Sequence, residues 1–174
     1  MAAGGEGYIY QLNCSDGGAV KRPVREAQLT PTGLVGDRQA RTRIHGGPER
    51  ALCLYALEHI RALQAEGHPI SPGSTGENVT IAGLDWSRLA PGQQLALGDE
   101  VIVELSSYAN PCKSIRESFG DGKFTRISQK THPGASRLYA RVIRPGLLAV
   151  GQRVRVLNGD TVEIKQRRWG RKLR

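Results

Sequence analysis

Cysteine is scarce in this chain, with three residues among 174, at positions 14, 53 and 112. They are odd in number, lie far apart and form no Cys-x-x-Cys pair. This pattern argues against a disulfide framework and against a four-thiolate zinc site. It suits a reducing compartment, and we expect a cytoplasmic protein.

Long apolar runs are also absent. No stretch of about 18 apolar residues occurs, so the sequence predicts no membrane span. The first ten residues have no basic segment followed by an apolar one, and we expect no secretory signal. Neither a P-loop motif nor a Gly-x-Ser-x-Gly elbow is present, so the sequence does not support P-loop phosphate binding or Ser-His-Asp catalysis.

The net charge of +9 is unevenly distributed. Residues 165–174 contain six basic residues and no acid, which leaves +3 for the other 164 residues. A basic tail with a tryptophan could contact RNA or an anionic membrane surface, but such tails are more often solvated ends. We expect no nucleic-acid function, and the mildly positive body suits a phosphorylated or otherwise anionic small ligand.

Short segments with strand character dominate the body. Predicted strands lie at 8–13, 51–55, 78–82, 93–97, 100–106, 137–143 and 152–157. Apolar residues at 57, 60 and 63 have a helical spacing and predict one helix over 56–66. Many short strands with one strong helix predict a mainly β domain, either a barrel or a sandwich, because a doubly wound parallel sheet needs several crossover helices.

Cys112 is the strongest candidate for chemistry. Pro111 before it cannot continue a central strand, and the residues after it have the pattern of a first helical turn. The amides of a helix N-terminus and the charges of Lys113 and Arg116 favour the thiolate. A thiolate attacks, carries sulfur or binds a soft metal. The alternative is an inert buried cysteine.

Two glycine-containing segments and a Gly-Glu-Asn sequence add candidate binding residues. Glycines let backbone N–H groups approach an anion closely, and the polar residues add acceptors, donors and cations. Each segment has a simpler interpretation as a hydrogen-bonded turn. No second His or Cys lies at zinc-ligand spacing. The candidates are Asp37, Arg38, His45, Gly46, Gly47, Arg50, Glu77 and Asn78.

Taken in order, four segments resemble a MOSC domain, a family named for the C-terminal part of molybdenum cofactor sulfurases. They are GLVGDRQ, HGGPERALCLYALEHI, TGENVTIAGLDWSRLAPGQQLALGDEVIVELSSYANPCKSI and RLYARVIRPGLLAVGQRVRV. The resemblance covers roughly residues 33–156 and is closest to small stand-alone bacterial-type members. It implies a mainly β fold, a MOSC-type β-barrel with a few short peripheral helices. We expect a single domain over 1–160 and a basic tail over 161–174.

The resemblance implies a pocket for a molybdopterin-type cofactor and places the family's reactive cysteine at Cys112. By position, residues 45–47 match the family's glycine loop, and residues 77–78 match its Gly-Glu-Asn motif. The chain departs from the family at two points. Thr75 stands where relatives commonly have Phe, and residues 108–112 lack the arginine of Pro-Arg-x-Pro-Cys.

On this resemblance we expect a molybdenum-dependent oxidoreductase that reduces N-hydroxylated small molecules. Cys112 would ligate molybdenum, and Arg38 or Arg50 with backbone N–H groups would hold the anionic cofactor. A separate redox partner must deliver electrons, because the sequence shows no flavin, haem or iron–sulfur ligand set. The alternative is a carrier module: a Cys112 persulfide filled by a sulfur-donor protein, or delivery of the cofactor without turnover.

Overall fold

The computed structural model describes residues 5–38 and 46–157, and these form a mainly β fold. The strands are β1 (Glu6–Cys14), β2 (Arg22–Val24), β3 (Glu26–Thr30), β4 (Gly33–Leu34), β5 (Leu52–Ala56), β6 (Val79–Ala82), β7 (Gln94–Leu97), β8 (Val101–Ala109), β9 (Arg137–Arg144), β10 (Gly146–Ala149) and β11 (Arg153–Leu157). The described residues also contain one α-helix, α1 (Leu57–Ala65), and the 3₁₀ helices Pro48–Arg50, Trp86–Arg88, Lys113–Ser118 and Phe124–Ile127.

Seven strands close into a barrel in the order β11-β7-β8-β9-β5-β6-β1, and β1 pairs again with β11. The closing register places Glu6 opposite Arg155 and Tyr8 opposite Arg153. Strand β2 extends the sheet from β1 outside this ring, and β10, β3 and β4 form a separate three-stranded sheet. Closure leaves the seven strands without an open edge. The predicted β-barrel is confirmed, and the sandwich alternative is wrong.

The neighbouring strands of the barrel are antiparallel except for the pair β5 and β6. Two parallel neighbours need a crossover connection, and α1 provides it. Its predicted apolar face is buried at Leu57, Ile60 and Leu63, and the helix packs on β5 and β6. No helix within the described ranges has the length and apolar character needed to cross a membrane.

The barrel interior is filled by the apolar residues that alternate along its strands. In β8 the predicted inward residues Val101, Val103 and Leu105 are fully buried, and Ile102 of the opposite face is also buried, at 5% exposure. Other fully or almost fully buried strand residues are Ile9, Leu12, Leu52, Leu54, Val79, Ile81, Leu95, Leu97, Leu138, Ala140 and Val154. This continuous core fixes the ends of the strands, from which the candidate site is built.

Candidate functional site

A cleft of about 630 Å³ lies where several strand ends and connections meet. Strand β8 ends at Ala109, and the chain then leads through Pro111 to Cys112 at the cleft wall. Strand β9 begins at Arg137, which faces the same space together with Tyr139. The rest of the lining comes from the β1–β2 connection, β5, the turn before β6 and the 3₁₀ helix that follows Cys112.

Cys112 is partly exposed, and its Sγ lies 2.8 Å from the Oγ of Ser114. It caps the 3₁₀ helix Lys113–Ser118, whose Ile115 N–H donates to the Cys112 carbonyl at 3.2 Å. The predicted helical turn is therefore present but is short and of the 3₁₀ type. Such a helix aligns fewer peptide dipoles than a full α-helix, so the nearby cations matter more for attracting an anion to this wall.

The other two cysteines have different environments. Cys53 lines the same cleft but is buried, and this burial raises the pKa of its thiol to about 11. Cys14 lies outside the cleft lining, and partial burial raises its pKa as well. Both therefore stay protonated at neutral pH, whereas Cys112 combines a position in the cleft with exposure.

Asn78 lines the cleft, and buried hydrogen bonds fix its side chain. Its Oδ1 accepts from the Cys53 N–H at 3.0 Å, and its Nδ2 donates to Asp37 Oδ2 at 2.8 Å. The side chain of Asp37 is only 4% exposed and forms an ion pair with Lys21, with Nζ–Oδ1 at 2.7 Å. The predicted residues Asp37 and Asn78 thus meet in one network behind the cleft wall, and sequence reasoning missed its third member, Lys21.

Glu77 is fully buried and does not line the cleft. Its carboxylate accepts hydrogen bonds from the Gly73 N–H at 2.6 Å, from Thr75 Oγ1 at 2.7 Å and from Thr80 Oγ1 at 3.3 Å. Desolvation raises the pKa of Glu77 despite these hydrogen bonds. Thr75, which stands at the family's Phe position, is thus a direct partner of this carboxylate, which holds the turn that enters β6.

The stability of the protein should fall with increasing pH through the titration of Glu77. Its folded-state pKa lies above the unfolded value, so the folded state binds more protons and ionisation opposes folding as the pH rises from about 4.5. In Glu77→Gln this contribution is absent, and the free energy of unfolding of the parent minus that of the variant should decrease with pH. Urea unfolding between pH 4 and 8 measures this difference, with the exposed Glu26→Gln as control; a pH-independent difference would contradict the assignment.

Residues 47–50, which begin with the last glycine of the predicted loop, lie beside the cleft. Gly47, with φ of 93°, precedes the 3₁₀ helix Pro48–Arg50, and the Arg50 guanidinium lies 5.2 Å from the centre of the Tyr139 ring. Glu49 binds Arg141 of β9 at 2.9 Å and thereby anchors this segment to the barrel. Arg50 thus stands next to a residue of the cleft lining.

Of the other three predicted positions, the structure describes two, and neither lines the cleft. His45 lies outside the described residues. Gly46 is described but does not line the cleft. The side chain of Arg38 is 77% exposed and lies 3.7 Å from Asp16, away from the cleft lining. The structure therefore brings together Cys112, Asn78 and Asp37, with Arg50 adjacent.

Positive charge dominates the cleft. Among the described lining residues, Lys21, Lys113, Arg116 and Arg137 are cationic and Glu117 alone carries a carboxylate. Within residues 5–38 and 46–157 no three His, Cys, Asp or Glu side chains form a candidate metal cluster. The arrangement suits an anionic ligand that approaches a single thiol, and it does not resemble a site in which protein side chains alone surround a metal ion.

Comparison with known proteins gives consistent results. A family model described as the MOSC domain matches residues 41–155. The uncharacterized protein YflK of Bacillus subtilis is 33% identical over 143 residues, which are 81% of this chain and 63% of that protein. Protein YiiM of Escherichia coli is 34% identical over 125 residues, 70% of this chain and 54% of that protein. The chain thus spans less than two thirds of either bacterial relative.

A solved structure resembles the fold of this chain. The crystal structure of YiiM from Escherichia coli matches with a TM-score of 0.65 at 26% identity, and the match covers 87% of this chain and 69% of that chain. A Gibberella moniliformis protein named reductase is 29% identical over 141 residues, 78% of this chain and 23% of that protein.

The family model covers the chain from before β5 to the first half of β11 and includes the Pro-Cys segment at the cleft wall. The architecture and the ordered sequence motifs agree with this match. The chain belongs to the MOSC domain family.

Proposed function

We propose that the cleft binds a molybdenum–molybdopterin cofactor and that Cys112 is the protein ligand of the metal. The observation that carries this proposal is a partly exposed thiol on the wall of a cleft whose charged residues are mostly cationic. A thiolate is a soft ligand suited to such a metal, and a molybdopterin carries an anionic phosphate that cationic walls attract. The residues present therefore fit this group.

The predicted binding residues would take different parts in this site. Asn78 is fixed by its buried network and presents a rigid polar wall, while Asp37 holds Asn78 from behind. Glu77 would act through the turn that it holds, and Arg50 would contribute charge from beside Tyr139. For Gly46, Gly47, Arg38 and His45 the resemblance remains the basis of the proposal. The domain would comprise residues 1–160, with residues 161–174 as a basic tail.

With the cofactor bound, we propose that the protein reduces N-hydroxylated compounds. The cofactor supplies two-electron redox chemistry. The reduction consumes two electrons and two protons, breaks the N–O bond and releases water. The similarity to a protein named reductase supports a redox role. The chain itself would position the small substrate in the cleft and exclude bulk water, while an external redox partner delivers the electrons.

Reduction of an N-hydroxylated amidine tests this proposal. The protein is purified from a host that makes the molybdenum cofactor, and a chemically reduced dye serves as the electron donor. We expect amidine formation that requires both the dye and Cys112, with at least about tenfold less product from Cys112→Ser. Equal product from the variant and the parent would contradict the proposal.

A sulfur-carrier function is the second candidate, since a partly exposed thiol in a cationic cleft also suits a persulfide. Cys112 would then receive sulfur from a donor protein, or the domain would deliver cofactor without turnover. Intact-mass measurement distinguishes the two functions. A mass increase of one sulfur atom on Cys112 in metal-free protein would favour carriage.

A further inference from the structure

Arg137 has an unusual environment for a cation. It is the first residue of β9, its exposure is only 5%, and it lines the cleft. An arginine that begins a strand normally extends into solvent, and a buried charge is costly unless a counter-charge or several hydrogen bonds compensate it. The contacts of Arg137 therefore show how far its buried charge is compensated.

The described residues provide only part of that compensation. Nη1 of Arg137 donates a hydrogen bond to the Thr75 carbonyl. Its Nε is buried and has no hydrogen-bond partner among the residues that the structure describes. The ion pairs among the described residues all involve other cations. The Glu77 carboxylate instead accepts hydrogen bonds from the N–H of Gly73 and the hydroxyls of Thr75 and Thr80.

The neighbouring cation of the cleft differs in this respect. Lys21 is almost as buried, but both oxygens of Asp37 accept from its Nζ, at 2.7 and 2.9 Å. Its charge is therefore neutralised inside the wall. Lys113 and Arg116 are exposed and keep their hydration. Arg137 is thus the buried cleft cation that has no protein carboxylate paired with it in the described structure.

The backbone beside Arg137 leaves room for a ligand. Gly76 lines the cleft with φ of +83°, and a Cβ at this position would lie 3.2 Å from the Ala19 carbonyl oxygen and 4.0 Å from Nη1 of Arg137. A side chain at Gly76 would therefore contact the guanidinium from the cleft side. The absence of a side chain at Gly76 keeps the approach from the cleft open.

From these contacts we infer that the guanidinium of Arg137 forms an oxyanion-binding subsite in the cleft for a phosphate or carboxylate group. A guanidinium recognises these groups through directed, charge-assisted hydrogen bonds. The inference deepens the proposed function, because the oxyanion belongs either to the cofactor's phosphate or to an acidic substrate. The binding of a simple oxyanion to the cofactor-free protein does not depend on molybdenum.

The Nε–H signal of Arg137 in NMR spectra of the full, cofactor-free chain tests this subsite directly. The protein is produced in a host that cannot make molybdopterin, and the signal is assigned by its loss in Arg137→Lys. Inorganic phosphate, and separately acetate, is titrated at constant ionic strength with chloride as the balancing anion. We expect a saturable shift of the Nε–H signal with at least one of the two anions. No shift with either anion would overturn the inference.

Variants separate a subsite from a structural role. Arg137→Gln should bind the responding anion at least about tenfold more weakly than the parent, whereas the matched Arg155→Gln, at an exposed position of β11, should bind it normally. A purely structural Arg137 would lower the unfolding temperature of Arg137→Gln and leave anion affinity unchanged, which would overturn the inference. If Arg137→Gln does not fold, Arg137→Lys keeps the charge, loses the planar donor set and should still bind more weakly.

The cofactor-loaded protein identifies the source of the oxyanion. If loading abolishes phosphate binding at Arg137, the subsite holds the cofactor's phosphate; if binding persists, the subsite serves an acidic substrate. Both outcomes support the subsite. Unchanged anion affinity in Arg137→Gln alongside loss of molybdenum in Cys112→Ser would overturn the subsite alone. Weaker anion binding in Arg137→Gln together with unchanged molybdenum in Cys112→Ser would overturn the proposed function and leave the subsite in place.

Discussion

Replacing Asp37 by Asn should lower the free energy of unfolding by about 3–5 kcal/mol, because it leaves the buried ammonium of Lys21 without its counter-charge. The side chains of Lys21 and Asp37 are only 6% and 4% exposed. Asp37 also accepts hydrogen bonds from the Ser15 N–H and from Nδ2 of Asn78, each at 2.8 Å. An asparagine has one side-chain oxygen and no charge, so it cannot satisfy all three donors.

Urea unfolding of the parent and Asp37→Asn at one fixed pH measures this effect. Asp16→Asn is the matched control, because it makes the same change in a side chain that is 92% exposed and lies 3.7 Å from Arg38, which is 77% exposed. We expect the control to change stability by no more than about 0.5 kcal/mol. Similar losses in the two variants would contradict the central role of the buried pair.

The strands and the helix that the sequence predicted are those with strong local periodicity. In β8 the alternation of Val101, Val103 and Leu105 marks the inward face, and in α1 the apolar spacing marks the face packed on the barrel. Their predicted ends differ from the observed ends by a few residues, since end positions depend on pairing and capping as well as on pattern.

The strands that the sequence pattern does not predict are short and pair with segments distant in the chain. β3 and β10 pair with each other across more than a hundred residues, with Leu29 opposite Gly146 and Ala27 opposite Leu148. Proline and glycine flank these segments, so their local sequence has the character of loops. Barrel closure likewise comes from the pairing of β1 with β11, which no local pattern records.

The residues of the candidate site also differ in how far the local sequence predicts them. Cys112 follows a strand-ending proline and is visible in the sequence, whereas Arg137 has the appearance of an ordinary solvent-exposed strand residue. Its burial arises only when β9 meets the turn at Thr75. Glu77 is a candidate ligand residue by its sequence, and in the structure its carboxylate accepts hydrogen bonds from Gly73 and Thr75 of the turn that precedes β6.

Replacing Cys112 by Ser should lower the molybdenum content per chain by at least about tenfold and leave the fold intact. A serine hydroxyl is not deprotonated at neutral pH and provides no soft anionic ligand, so the metal would lose its protein attachment. Since Cys112 is partly exposed, the change should cost little stability. Circular dichroism and the urea midpoint check that the variant is folded.

Cys14→Ser is the better control for this experiment. Cys14 is a thiol outside the cleft lining, so its loss should leave the metal content unchanged. We also expect Cys53→Ser to retain metal, because the buried Cys53 thiol is protonated at neutral pH. It is the weaker control, since Cys53 forms part of the cleft wall.

The central claim is tested most directly by the molybdenum content of the full chain, purified from a cofactor-competent host beside Cys112→Ser. We expect close to one molybdenum per parent chain and a strong loss in the folded variant. Folded parent protein without molybdenum, or equal molybdenum in the two proteins, would contradict the assignment of Cys112 as the ligand of a molybdenum cofactor.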